Sequence, residues 1–125
     1  MVQFSRTESS LLGAINEITC KIYDTRMQTV ALSFQTLARQ TLIQFNPYEP
    51  HQLFVACEDA FAYSFDLRKT EKALDRYGGY PYAITAMDVS PDGRRLCLGT
   101  IEGTLQLYDV KTVSHFGDTN KSTIG

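Results

Sequence analysis

The sequence predicts an all-β fold made of three consecutive units of similar construction. The apolar runs last only four to eight residues, are rich in β-branched and aromatic types, and are bounded by turn residues, which is the pattern of strands rather than helices. One 14-residue pattern occurs three times without a gap, at 11–24, 53–66 and 96–109. Its terminal aspartates, Asp24, Asp66 and Asp109, lie 42 and 43 residues apart, within the roughly 40–45-residue period of propeller blades.

Each copy begins with Leu, has a small residue at the fourth position (Ala14, Ala56, Gly99) and an acid at the seventh (Glu17, Asp59, Glu102), and ends in an aromatic residue followed by Asp. Short apolar segments precede the copies at Val2-Gln-Phe-Ser5, Ile43-Gln-Phe-Asn46 and Met87-Asp-Val-Ser90, the last two followed by Pro47 and Pro91. Proline cannot donate to a sheet ladder, so it ends these strands, and Ser90-Pro-Asp-Gly93 is a turn signal. Every unit therefore reads as strand, turn, strand, tight acidic turn, strand. A fourth strand is expected near Val30 to Phe34, Lys72 to Tyr77 and Val113 to Phe116. The blades fall at about 1–35, 36–78 and 79–116, with the repeats inside 1–110 and a flexible tail or the start of a further blade at 117–125. In the third strands both alternating sets are apolar, as with Phe61, Tyr63 and Phe65 opposite Ala62, which suits a sheet sandwiched between two others.

The composition is that of an ordinary globular chain: 125 residues, 43% hydrophobic, enough for one core. Twelve Lys plus Arg against 14 Asp plus Glu give a net charge of −2, so no overall attraction to nucleic acid or anionic membrane is expected, although a local basic patch stays open. No apolar run approaches the ~18 residues of a membrane span, and the start lacks the regions of a signal peptide, so an intracellular chain is expected. Cys20, Cys57 and Cys97 are about 40 residues apart without a CxxC pair, which argues against zinc and a disulfide framework and for small buried strand residues. His51 and His115 stand alone, and no paired carboxylate, nucleophile arrangement or glycine-rich phosphate loop accompanies them. No catalytic residue, metal, cofactor or small-molecule substrate is therefore expected. An enzyme on a propeller scaffold would need clustered carboxylates or histidines at a central channel. Closed propellers have four to eight blades, and this length holds about three repeats. The length thus points to a fragment, or to a piece completed by oligomerisation or a partner.

The blocks resemble the WD-repeat β-propeller family, with Ile22-Tyr-Asp24, Ser64-Phe-Asp66 and Leu107-Tyr-Asp109 where that family has Trp-Asp. The third copy, with Val89-Ser-Pro-Asp-Gly93 and Gly103-Thr-Leu-Gln-Leu-Tyr-Asp109, follows the pattern most closely. There is no Trp, and the Gly-His dipeptide that opens a family repeat is replaced near Gly79-Tyr80. The resemblance implies that Glu17, Asp59 and Glu102 satisfy turn amides without the usual His partner. The succession Leu11-Leu-Gly13, Ile22-Tyr-Asp-Thr-Arg26, Phe45-Asn-Pro47 and Glu58 to Arg68 is similar to the middle blades of nucleolar WD-repeat proteins of the small-subunit processome, also described as substrate receptors of cullin-type ubiquitin ligases. That likeness implies a non-catalytic scaffold in ribosome assembly and pre-ribosomal RNA processing, nuclear or nucleolar, binding proteins and RNA. Ligase-receptor activity and a general interaction propeller of another pathway are the alternatives.

Tyr23-Asp-Thr-Arg26 and Phe65-Asp-Leu-Arg68 match the motif by which such receptors dock on the ligase adaptor, whereas Tyr108-Asp-Val-Lys111 departs from it. Lysine lacks the planar five-donor fork of arginine. Arg26 and Arg68 are thus either partner contacts or structural arginines. The run Arg76-Tyr-Gly-Gly-Tyr-Pro-Tyr82, with Arg76, Tyr80 and Tyr82, either stacks on RNA bases or anchors a peptide, or else fills the seam between blades. Arg94-Arg95 faces solvent or contacts phosphate.

Overall fold

The computed structural model describes residues 1–5, 11–26, 29–110 and 123–124. They form three four-stranded antiparallel sheets, each laid down in sequence order. The first contains β1 (Val2–Phe4), β2 (Leu11–Asn16), β3 (Thr19–Asp24) and β4 (Thr29–Gln35). The second contains β5 (Gln40–Phe45), β6 (Gln52–Cys57), β7 (Phe61–Asp66) and β8 (Asp75–Gly78). The third contains β9 (Ile84–Val89), β10 (Arg95–Thr100), β11 (Leu105–Asp109) and β12 (Thr123–Ile124). Each 14-residue copy is thus a hairpin, β2–β3, β6–β7 or β10–β11, closed by the acid-bearing turn. These are WD-like propeller blades.

Two of the fourth strands lie close to their expected positions, with β8 three residues late because Glu71 and Lys72 bend the chain first. The segment Val113 to Phe116 lies outside the described residues. The strand that pairs with β11 is Thr123–Ile124, in the stretch read from sequence as a tail or the start of another blade.

The middle sheet shows why its strands are apolar on both sides. All six residues of β6 are buried. Leu53, Val55 and Cys57 pack toward the first sheet with Ile15, Cys20, Ile22 and Phe34, while Phe54 and Ala56 pack toward the third with Val89, Leu96 and Leu98. Successive strand side chains point to opposite faces, so one strand feeds two cores. In the second core Tyr77 lies against Phe54 and Tyr108, at centroid separations of 6.2 and 5.6 Å.

Polar side chains also cross the seams. Gln3 Nε2 donates to Gln44 Oε1 at 3.1 Å, and Gln40 Nε2 donates to the Ile18 carbonyl at 2.8 Å, both joining the first blade to the second. Asn46, buried at the end of β5, uses its whole hydrogen-bonding capacity. Its Oδ1 accepts the amides of Tyr48 and Glu49 at 2.9 and 3.0 Å. Its Nδ2 donates to Gln52 Oε1 at 2.8 Å and across the second seam to the Gly93 carbonyl at 3.2 Å. A buried amide satisfied at all four positions is specific rather than merely tolerated.

Candidate functional site

Two chain turns share one construction. After β3, Asp24 Oδ1 accepts the Arg26 amide at 3.0 Å, and the Arg26 guanidinium closes on both carboxylate oxygens at 3.1 and 2.9 Å. After β7, Asp66 and Arg68 repeat this with all three distances at 3.0 Å. An Asp accepting the amide two residues on is a favoured turn device, and the arginine fork matches a carboxylate through two parallel bonds. Both carboxylates are nearly buried, while the arginine side chains are 71% and 44% exposed. The guanidinium bonds and backbone bond from Arg26 hold the Asp24 carboxyl below its usual range. Burial pushes the Asp66 carboxyl up, but the bonds and charge of Arg68 outweigh it, so that group is lowered too. Arg26 and Arg68 therefore serve as intrachain partners and still present guanidinium surface to solvent. The third copy departs: Asp109 lies 3.9 Å from Arg95, and Lys111 is outside the described residues.

The aromatic run after β8 is divided by the structure. Tyr77 enters the seam, Tyr80 is 88% exposed and Tyr82 is 39% exposed. Arg76 lies over the Phe61 ring, 4.7 Å from its centroid. Seam filling and surface presentation thus both occur within seven residues.

The turn acids behave unequally. Asp59 Oδ1 accepts the Phe61 amide at 3.0 Å, and its Oδ2 accepts the Tyr63 hydroxyl at 2.5 Å. Burial, followed by that bond, pushes the Tyr63 phenol up. Glu17 instead faces Arg39, which also reaches Glu58 at 3.8 Å. Glu102 makes no hydrogen bond or ion pair with any described residue. The expectation of turn-amide capping therefore fails at Glu17 and Glu102. A glutamate carboxylate sits one methylene further out than the aspartate that forms such turns.

Burial pushes the Cys20 thiol up to about 12 and the Cys57 thiol to about 11, which leaves both poorly nucleophilic at neutral pH. Cys97 is partly exposed on β10. His51 borders an open groove of about 470 Å³ with Arg68, Leu67 and Leu11; His115 is outside the described residues. Arg94 donates its amide to Asp92, and Arg95 faces Asp109. Among the described residues no cluster of three or more metal-ligating side chains occurs, and no helix is long and apolar enough to cross a membrane.

Sequence reasoning missed Arg39, Gln40 and Asn46, which tie blades together. The only local trace of Asn46 is the Asn-Pro step ending β5; its partner Gly93 is 47 residues away.

No protein-family model matches the chain. It is similar to the protein sof1 of Schizosaccharomyces pombe, 30% identical over 95 residues, and to the protein SOF1 of Saccharomyces cerevisiae, 26% identical over 110 residues. DDB1- and CUL4-associated factor 13 of Danio rerio is 23% identical over 108 residues. These matches cover 75%, 86% and 86% of the chain, which spans only 22–24% of the length of these curated relatives. The chain is thus a distant homologue of the two sof1 proteins and of DDB1- and CUL4-associated factor 13, and its three sheets are blades of the WD-repeat β-propeller kind.

Proposed function

We propose that this chain is part of a non-catalytic WD-repeat scaffold that acts in small ribosomal subunit assembly and pre-ribosomal RNA processing, in the nucleolus. The observation that carries this reading is the similarity to the two sof1 proteins over at least three quarters of the chain. The physical basis is presentation: packed sheets hold connecting loops in fixed places, where loops are best able to carry function. Tyr80 and Tyr82 offer exposed aromatic surface that suits base stacking or a peptide contact, with Arg76 on the same segment. Partners are then proteins and pre-ribosomal RNA of a large ribonucleoprotein. Affinity purification of the parent protein should recover pre-ribosomal RNA and small-subunit assembly factors, with recovery reduced by Tyr80→Ala plus Tyr82→Ala. Recovery of unrelated proteins alone, insensitive to nuclease, would overturn the reading.

A second reading is docking on a ubiquitin-ligase adaptor through Arg26 and Arg68. It is favoured by the shared bonding pattern of the two aspartate–arginine turns and by the name of the zebrafish relative. Alanine at either arginine would strand a nearly buried carboxylate, so Arg26→Lys plus Arg68→Lys is the cleaner probe, retaining charge while removing the fork. Loss of adaptor co-purification with unchanged unfolding supports docking; unchanged co-purification sinks it.

A further inference from the structure

Phe61, Tyr63 and Phe65 alternate along β7 and so stand on one face. The two outer rings are occupied within the chain. Arg76 lies over Phe61 at 4.7 Å, and Phe34 packs on Phe65 with centroids 4.6 Å apart. The middle ring, Tyr63, is fixed by its hydroxyl bond to Asp59, lies 6.2 Å from the Phe61 ring and is only partly buried against the first core. Tyr63 and Phe65 border a cavity of about 240 Å³, lined also by Gln35 at the end of β4, Thr36 and Leu37 after it, and Glu71 and Ala73 before β8. Leu37 is fully exposed at its lip. The Thr36 hydroxyl is already committed, donating to the Ala38 carbonyl and accepting from Gln40 Nε2. Glu71 is the charged residue of the lining, and it forms no ion pair with any described residue.

We propose that this cavity binds an arginine side chain of a partner protein. The guanidinium stacks on Tyr63 and faces the Glu71 carboxylate, and its aliphatic stem lies along Leu37 and Ala73. Arginine suits such a site because its planar cation is weakly hydrated, stacks on aromatic faces and pairs with carboxylates through a rigid fork. The Arg76–Phe61 contact is the same pairing made internally one ring along the strand. The cavity lies where Thr19 pairs with Gln35, at the opposite end of the first sheet from the Asp24–Arg26 turn. It therefore stands apart from the aspartate–arginine turn of the adaptor reading.

The test is amide NMR on the full chain titrated with the peptide acetyl-Gly-Gly-Arg-Gly-Gly-amide, its citrulline counterpart, and the Glu71→Gln variant. Saturable shifts at Thr36, Leu37, Tyr63 and Ala73 are expected, with roughly fivefold weaker binding for citrulline, which keeps the plane and loses the charge. Glu71→Gln should weaken the arginine peptide by a similar factor while its own spectrum otherwise superposes. Equal affinity for citrulline, unchanged binding by Glu71→Gln, shifts mapping elsewhere or no saturable shift would each overturn the proposal. The citrulline arm uses the unmodified chain and decides the matter even if the variant misfolds.

Discussion

Replacing Gly93 by alanine should loosen the second blade from the third. Gly93 has φ +74°, where a side chain costs about 1 kcal/mol. A Cβ there would also fall on Asn46 Oδ1 and come within 2.9 Å of Tyr48 Cβ. Asn46 cannot yield cheaply, because it is buried and bonded to Tyr48, Glu49, Gln52 and Gly93. Displacing it leaves buried polar groups unpaired, at about 1–3 kcal/mol. The total is roughly 2–4 kcal/mol. Gly103 is the control: φ is +82°, yet nothing lies within 4 Å of its Cβ position, so alanine should cost only the backbone part, about 1 kcal/mol. Urea unfolding of both variants reads the difference, and adding Asn46→Ala should make the Gly93→Ala cost shrink, since neighbouring sites couple. Equal costs at Gly93 and Gly103 would refute the Asn46 seam.

Other consequences are as direct. The carboxyls of Asp24 and Asp66 should titrate below the ordinary 3.8, so the stability their pairs add is full at neutral pH and fades as pH falls from the ordinary carboxylate range through the lowered values; carboxyl NMR midpoints at 3.8 would contradict this. A disulfide thiol reagent at pH 8 should label Cys97 before Cys20 and Cys57, with mass spectrometry reading the order; equal labelling would mean the blade cores are open. Leu53→Ala, at a fully buried β6 position, should cost about 2–5 kcal/mol in urea unfolding. Leu105→Ala, on exposed β11 surface, should stay within about 0.5 kcal/mol, and similar losses at both would place the core elsewhere.

Much of the blade frame was legible because hairpin information is local. The Leu-to-Asp copies coincide with β2–β3, β6–β7 and β10–β11, and Ser90-Pro-Asp-Gly93 is a turn in which Gly93 donates to the Ser90 carbonyl. The double-sided packing of β7 was readable from Phe61, Ala62, Tyr63 and Phe65 in the same way. The fourth strands were less legible, since an outer strand is defined by what it pairs with: β8 is four residues and β12 two. For the candidate sites, the matched Asp-x-Arg endings were visible as residues, but nothing in them specified that each guanidinium closes on its own aspartate. The cavity beside Tyr63 could not be read at all, because Gln35 of the first sheet meets Tyr63 and Glu71 of the second across a seam.

Sedimentation of the protein through a sucrose gradient of cell extract tests the scaffold proposal most directly. The account predicts that it travels with small-subunit precursors, that pre-ribosomal RNA probes detect the same fractions, and that ribonuclease or Tyr80→Ala plus Tyr82→Ala moves it toward the top. Protein found wholly at the top of the gradient, with no pre-ribosomal RNA beside it, would contradict the account.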